Sequence, residues 1–574
     1  MMAVELLVVA VLGLLGIAAA TAIGPKLGFS APLLLVVVGI LVSFLPFVPD
    51  VEIDPEWIIA GVLPPLLYSA SVSMPSMEFR REFGAISGLS VSLVVVSSVA
   101  LGLLFTWIVP GLSLAAGIAL GAIVSPTDAV ATSIVKRVGV TPRIVTVLEG
   151  ESLLNDATAL VLLRSAIAAT AAAVSFWEIL GDFVFAVAVA VVIGYLVGKG
   201  NLWLRSRVTD ATVNTVISFT VPFLASVPSE VLGASGLVAA VVAGLVTGRG
   251  AIRSLSPQHR MSDVQNWRTI ELILEGAVFL VMGLEMSAIL GDLTNETRGI
   301  ELGGRVAAIT LLAVLVVRAL FVYPMLGLQR RSSRRGASMK PQLTAFQERL
   351  ENADPDEVAT PERRGGPGKG RPGRMLSAAS LGRFQTRIRR KVADIDYFVA
   401  EPLGWREGTV IVWAGMRGAV TLAAAQTLPQ GTPDRSLVIF IAFLVATGSL
   451  LIQGGTLPWI VRLVKPARVD REAARAEHAE LLGILRRVAD DVVREHREAR
   501  VDADGGHQHG DRDPEEDREL YRTLRLQIIH AQRETLLTAR DDGTYSASVL
   551  TGVLETLDAD QISMELREEH RDEA

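Results

Sequence analysis

Long apolar runs alternate with short polar breaks along this chain, on a scale far coarser than the periodicity of a soluble fold. Stretches of about 20 mainly apolar residues recur, each long enough as a helix to cross roughly 30 Å of hydrocarbon. Thirteen can be placed, at about 2–23, 30–48, 56–74, 84–109, 113–135, 144–173, 177–204, 212–229, 231–249, 268–290, 301–328, 406–428 and 436–464. The eighth and ninth are divided only by Pro228-Ser229-Glu230, so a count of twelve is the alternative. The pattern predicts an all-α polytopic membrane protein. The first run lacks a basic leader, carries Glu5 and exceeds a signal-peptide core, which predicts a retained span.

Two segments break the rhythm. The transmembrane region is expected over 1–464, with a basic loop at 329–404 inside it and a charged tail over 465–574. The loop is rich in Gly and Pro around Arg363–Arg374 and reads as a disordered cytoplasmic linker. Its run Arg383–Lys391 admits a second reading, a switch drawn to anionic lipid headgroups. In the tail, Leu481, Leu482, Ile484, Leu485 and Val488, then Leu520, Leu524, Ile528 and Ile529, recur at helical spacing. They predict a small helical domain for regulation or subunit contact. His507 and His509 have no further ligands nearby, and a polar loop is the expectation there.

Composition and charge sharpen this picture. Half of the 574 residues are hydrophobic and 20 % are charged, with the charges bunched. The net charge of −6 arises in the tail, where residues from Lys465 onward hold 17 Lys/Arg against 27 Asp/Glu. It therefore argues nothing about an acidic or basic substrate; no nucleic-acid partner is expected. The absence of cysteine excludes disulfides and thiolate metal sites. Loops after odd-numbered spans carry Lys26; Arg80 and Arg81; Lys136, Arg137 and Arg143; Lys199, Arg205 and Arg207; Arg249, Arg253, Arg260 and Arg268. Loops after even-numbered spans hold almost none. The bias predicts an N-terminus outside and a cytoplasmic tail.

Charges inside the spans carry the candidate chemistry, because one near the bilayer centre costs roughly 2.5–3.5 kcal/mol even on a mild scale. Asp128 follows Pro126, which removes a backbone donor and favours unwinding at Ser125–Asp128. Unwound backbone at that depth must line a cavity, and its carbonyls can hold a cation. A proline kink with Asp128 capping the second half-helix is the plainer reading, and both can hold together. Span six carries Glu151, Ser152, Asn155 and Asp156, with Ser152/Asp156 and Glu151/Asn155 as i,i+4 pairs. Asp156 lies roughly 18 Å along that span, near mid-membrane. Such hard oxygen donors suit Na+ or Li+. Glu149, nearer water, is given no role. Arg318 and Arg417 lie in apolar sequence and call for buried carboxylate partners, Glu151 being the choice for Arg318; structural pairing is expected of both. Arg164 is expected to snorkel outward, and Glu275 and Glu285 on span ten to pair or to meet a subunit interface. No histidine falls inside an expected span, so a proton relay would run on carboxylates.

Three motifs, Ser125-Pro126-Thr127-Asp128, Gly150-Glu151-Ser152-Leu153-Leu154-Asn155-Asp156 and Gly415-Met416-Arg417-Gly418-Ala419, resemble those of the bacterial-type sodium/proton exchangers of the first cation:proton antiporter family. The resemblance runs through about residue 464. It implies an inverted-repeat antiporter fold, with spans five and twelve as discontinuous crossing helices, and a dimerisation domain, hence a homodimer in a bacterial plasma membrane. Carried over by position, Asp156 is the ion- and proton-carrying carboxylate, and Asp128, the Thr127 carbonyl and Ser152 complete its cage. Asn155 marks the generally electroneutral members, Glu151 and Arg318 form an interhelical pair, and Glu275 matches an acidic position. Family members often carry an acid on span three where Leu63-Pro64-Pro65-Leu66-Leu67-Tyr68 leads here to Ser69. The expected activity is antiport of Na+ (or Li+) against H+, with K+/H+ antiport the alternative. An organic-anion carrier or a tail-gated cation channel fits the clustered carboxylates less well. No enzyme activity and no cofactor are expected beyond the transported ions.

Overall fold

Four helices start where a Ser or Asp side chain accepts from one of the first free backbone N–H groups. Ser113 accepts from Ala116, Asp210 from Val213, Ser235 from Val238 and Ser256 from His259. The computed structural model describes residues 2–46, 48, 53–109, 111–171, 176–293, 297–351, 378–432, 434–468, 470–504 and 514–572. They fall into two units, Met1–Leu326 with Leu403–Arg468, and Gly327–Pro402 with Val469–Ala574.

The first unit contains α1 (Met2–Leu27), α2 (Ala31–Ser43), α3 (Trp57–Ser73), α4 (Ser76–Ile108) and a broken pair, α5 (Leu114–Val124) and α6 (Val130–Val138). Next come α7 (Pro142–Ala171), α8 (Phe176–Arg205), α9 (Ala211–Val231), α10 (Gly236–Ser254), α11 (Pro257–Leu284) and the short α12 (Met286–Leu293). The first part of α13 (Thr297–Glu351) follows, up to Leu326. After α14 (Ala378–Ala400), which belongs to the second unit, a second broken pair, α15 (Trp405–Trp413) and α16 (Ala419–Gln426), precedes α17 (Arg435–Val464). Among the described residues, nine helices are long and apolar enough to cross a membrane, with shorter apolar helices beside them. Large side chains such as Leu12, Trp107 and Leu320 are exposed on this unit, as a hydrocarbon-facing surface requires. Two buried apolar clusters pack it: one runs through α5, α7, α16 and α17, the other through α3, α9 and α10.

Several boundaries differ from expectation. Helix α4 begins at Ser76 and so takes in Glu78, Arg80, Arg81 and Glu82, which read as a loop. Glu82 is tolerated there because Arg143 pairs with it at 2.6 Å with both side chains buried, and Thr146 donates to Glu78 at 3.0 Å. Helix α11 begins at Pro257, which brings His259 into a helix rather than a loop. Its imidazole is buried against Asn214 and the Thr209 carbonyl. Arg205, expected in a loop, is fully buried and bonded to Asn214 and Asp263. The break between α9 and α10 falls at Leu232–Ser235, where Gly233 takes φ +73°, and Pro228 stays within α9.

In the second unit, α18 (Arg471–Asp504), α19 (Pro514–Asp542) and α20 (Ala547–Asp572) enclose Leu481, Leu485, Leu536, Val549, Leu550 and Val553. The third helix adds to the two apolar rows legible in the sequence. Arg389 of α14 pairs with Asp542 at 3.0 Å, and Arg390 donates to the Asp541 carbonyl. The expectation of a disordered linker over 329–404 is therefore corrected: its described parts, through Glu351 and again over Ala378–Ala400, are helical. Arg363–Arg374, His507 and His509 lie outside the described residues.

Candidate cation site at a helix crossing

Pro126 does what its missing N–H dictates. Helix α5 stops at Val124, the chain runs unwound to Asp128, and α6 resumes at Val130. A second unwound segment, Gly415–Gly418, separates α15 from α16. The two segments touch, the Asp128 N–H donating to the Met416 carbonyl at 2.8 Å. Asp128 Oδ1 accepts from Val130 N at 2.9 Å and so closes the N-terminus of α6, as the capping reading anticipated. Its other oxygen lies against Gly418, the N-cap of α16, where any Cβ would overlap the carboxylate. One carboxylate thus meets the positive ends of two half-helices.

Arg417 serves the opposite ends. Its Nε donates to the Val124 carbonyl at 2.7 Å, its Nη2 to the Ser125 carbonyl at 3.3 Å and its Nη1 to the Gly415 carbonyl. The first two are carbonyls left unpaired at the C-terminus of α5, and the third belongs to the unwound segment just after α15. The expectation of ion pairing for Arg417 is corrected accordingly: its guanidinium is bonded to main-chain carbonyls, two at the end of α5 and one in the facing unwound segment. Gly418→Ala is expected to lower stability by about 1–3 kcal/mol through overpacking at Asp128. A thermal melt checks this, and an unchanged midpoint would show that the crossing has slack.

Helix α7 is bound to this crossing through a continuous polar chain. Asn155 Nδ2 donates to Thr127 Oγ1 at 2.7 Å and to the Thr127 carbonyl at 3.2 Å. The Thr127 hydroxyl donates in turn to Glu151 Oε1 at 3.1 Å. Glu151 takes a two-pronged contact from Arg318, at 2.5 and 2.7 Å, and Arg318 Nε donates to the Ile411 carbonyl at 3.0 Å. The pairing of Glu151 with Arg318 is as the sequence suggested, and it links α7, α13 and α15.

Ser152 and Asp156 remain outside this chain. They occupy one face of α7, each only 8 % exposed, and among the described residues neither has a hydrogen-bond or ion-pair partner. The Asn155 Oδ1 beside them is buried and unpartnered as well. Asp156 lines a small cavity with Ile123, Pro126, Leu160, Leu163 and Ala424. Its volume open to the centre of a water-sized sphere is about 10 Å³, roughly what one water needs. Asp128 lies within electrostatic reach of Asp156, and Glu275 of Asp128.

The remaining candidates are placed as follows. Ser69 donates to Glu271 Oε2 at 3.4 Å, so a carboxylate of α11 reaches the position where the resemblance leads one to expect an acid on span three. Glu271 was not singled out from the sequence, although Glu271-Leu272-Ile273-Leu274-Glu275 carries the i,i+4 signal. Glu149 pairs with Lys136. Arg164 meets Glu230 at 2.8 Å and is more than half exposed. Glu285 is buried and accepts from Gln426 at 3.1 Å.

Two broken helices crossing beside buried carboxylates, within a bundle of apolar helices, define a multi-pass membrane protein of the ion-transporter class. A family model described as the transmembrane sodium/hydrogen exchanger matches residues 8–346 and 377–463, and the chain belongs to that family. An uncharacterised Na+/H+ exchanger of Mycobacterium tuberculosis is 28 % identical over 591 residues, covering 97 % of this chain and 96 % of that one. A sodium, potassium, lithium and rubidium/H+ antiporter of Bacillus subtilis is 32 % identical over 275 residues, covering 46 % of this chain and 41 % of its own. In fold, the chain is similar to the sodium proton antiporter MjNhaP1 of Methanocaldococcus jannaschii. That likeness has a TM-score of 0.56 at 16 % identity, over 81 % of this chain and 99 % of that one.

Proposed function

We propose that this protein is a secondary antiporter that exchanges Na+ or Li+ for H+ across the plasma membrane, without net charge movement, for intracellular pH and sodium homeostasis. The observation that carries the reading is the pair of unpartnered groups, Ser152 and Asp156, buried on one face of α7, with Asp156 lining a water-sized cavity. A protein retains such groups against their burial penalty when a ligand satisfies them. Oxygen donors from Asp156, Asp128, Ser152 and the Thr127 carbonyl suit a small monovalent cation. The same carboxylate can take up a proton instead, and competition between the two ligands couples their gradients. Asn155 supports electroneutrality: where a second Asp would add charge, its amide is spent on Thr127.

The reading includes an outward N-terminus, a cytoplasmic tail and a homodimer, in keeping with the loop charges and the family. K+ is the second reading, supported by the breadth of ions in the name of the Bacillus relative. Reconstitution with an internal pH dye tests both. A proton gradient should collapse on adding Na+ or Li+, at a rate indifferent to imposed voltage. Collapse by K+ alone would move the assignment to K+, and proton flux uncoupled from any of these cations would remove it.

A further inference from the structure

The site described above is the inner end of a longer series of carboxylates, and Glu271 is its least explained member. Glu271 and Glu275 stand i,i+4 on α11, on one face and about 6 Å apart. Two like charges so placed are mutually destabilising, and a proton on one of them or a cation beside them relieves the repulsion. Among the described residues, Glu275 has no hydrogen-bond or ion-pair partner, and Glu271 has only the long contact from Ser69. Several of the acceptor positions on the two carboxylates are therefore open.

Their surroundings set a direction. Glu271 lies within electrostatic reach of Lys136, Glu149 and Arg268, and Lys136 is more than half exposed at the last turn of α6. Glu275, one turn on, lies within reach of Asp128, which is in turn within reach of the buried and unpartnered Asp156 at its cavity. The order from the exposed end inward is thus Lys136 with Glu149, then Glu271 with Ser69, then Glu275, Asp128 and Asp156.

We propose that Glu271, with the Ser69 hydroxyl, is an entry ligand of this pathway, which takes a partly hydrated monovalent cation from the Lys136–Glu149 mouth and passes it by way of Glu275 to Asp156. A carboxylate and a hydroxyl are hard donors of the kind that replace hydration water around such an ion. The proposal rests on the antiport reading above and assigns to that activity a residue outside the helix crossing.

The test uses the full-length protein in liposomes. In Glu271→Gln, the KM for Na+ should rise roughly five- to tenfold, the scale of one lost unit charge a few ångströms away across a hydrated gap. This rise should exceed any fall in maximal rate. Returning the carboxylate from the other side, in Ser69→Glu with Glu271→Gln, should bring KM back toward that of the wild type. Glu271→Asp, which keeps the charge if the amide folds poorly, should change KM less than the amide does. A Glu271→Gln variant with unaltered KM overturns the proposal, as does a double variant no better than the single, which would leave only a structural tie between α3 and α11. If the wild type itself showed no cation-coupled proton flux, the antiport reading would fail; if it exchanged normally and the Glu271 variants matched it, only the entry role would.

Discussion

Asp156→Asn is expected to reduce Na+-driven proton movement to the level of protein-free liposomes while leaving the protein folded. The substitution changes little in shape, and Asp156 has no hydrogen-bond or ion-pair partner among the described residues to lose. An amide of the same shape carries no charge to desolvate in any state, so the melting midpoint should match or exceed that of the wild type. Na+ should raise the midpoint of the wild type, because a ligand that binds only the folded state stabilises it, and that increment should vanish in the variant. Loss of transport with loss of folding would be uninformative for most buried residues; here the two should separate. Exchange that survives in the folded variant would sink the assignment of Asp156, and with it the antiport mechanism.

The separation follows from how the polar groups are divided. Glu151, Arg318, Thr127, Asn155 Nδ2 and Arg417 all have their partners inside the protein. Ser152, Asp156 and Asn155 Oδ1 have none among the described residues. The first group fixes two unwound segments and three helices against one another. In the second, Asp156 faces a cavity, and Ser152 and Asn155 Oδ1 lie beside it on α7. A dry, fully paired version of the same crossing would hold together equally well, so stability alone does not explain the unpaired face of α7.

Much of this was legible in the sequence because the strongest signals are local. Pro126 removes one donor, and the break in the fifth span follows at that point. Glu151 and Arg318 are each too costly in apolar sequence to stand alone, and each is the other's nearest remedy. Arg417 was read by the same rule and found different partners. Its main partners are the carbonyls at the end of α5, which become available only when two separate breaks are folded against each other, and no spacing in the sequence encodes that. The early start of α4 was hidden likewise: Glu78 and Glu82 look like a loop until Thr146 and Arg143 are placed beside them. Glu271 had a local signal, its spacing from Glu275, but nothing in the sequence said that this face of α11 would turn toward Ser69.

The second large effect concerns the pair that holds the crossing in place. Glu151 and Arg318 are 1 % and 2 % exposed and bonded through both oxygens, so removing either side chain leaves an uncompensated charge in a dry interior. Glu151→Leu and Arg318→Met are each expected to lower stability by about 3–5 kcal/mol. The two together should fall short of the sum by a wide margin, because an apolar pair of similar volume carries no stranded charge. Thr127 loses its acceptor in both backgrounds containing Glu151→Leu, which should slow exchange by loosening the cage. The double variant nonetheless keeps Ser152, Asp156 and Asp128, so Na+ should still raise its melting midpoint. Additive losses in the two singles would mean that the pair is not an isolated unit. A stable double variant that no longer responds to Na+ would place Glu151 among the ion's own ligands rather than in the frame around them.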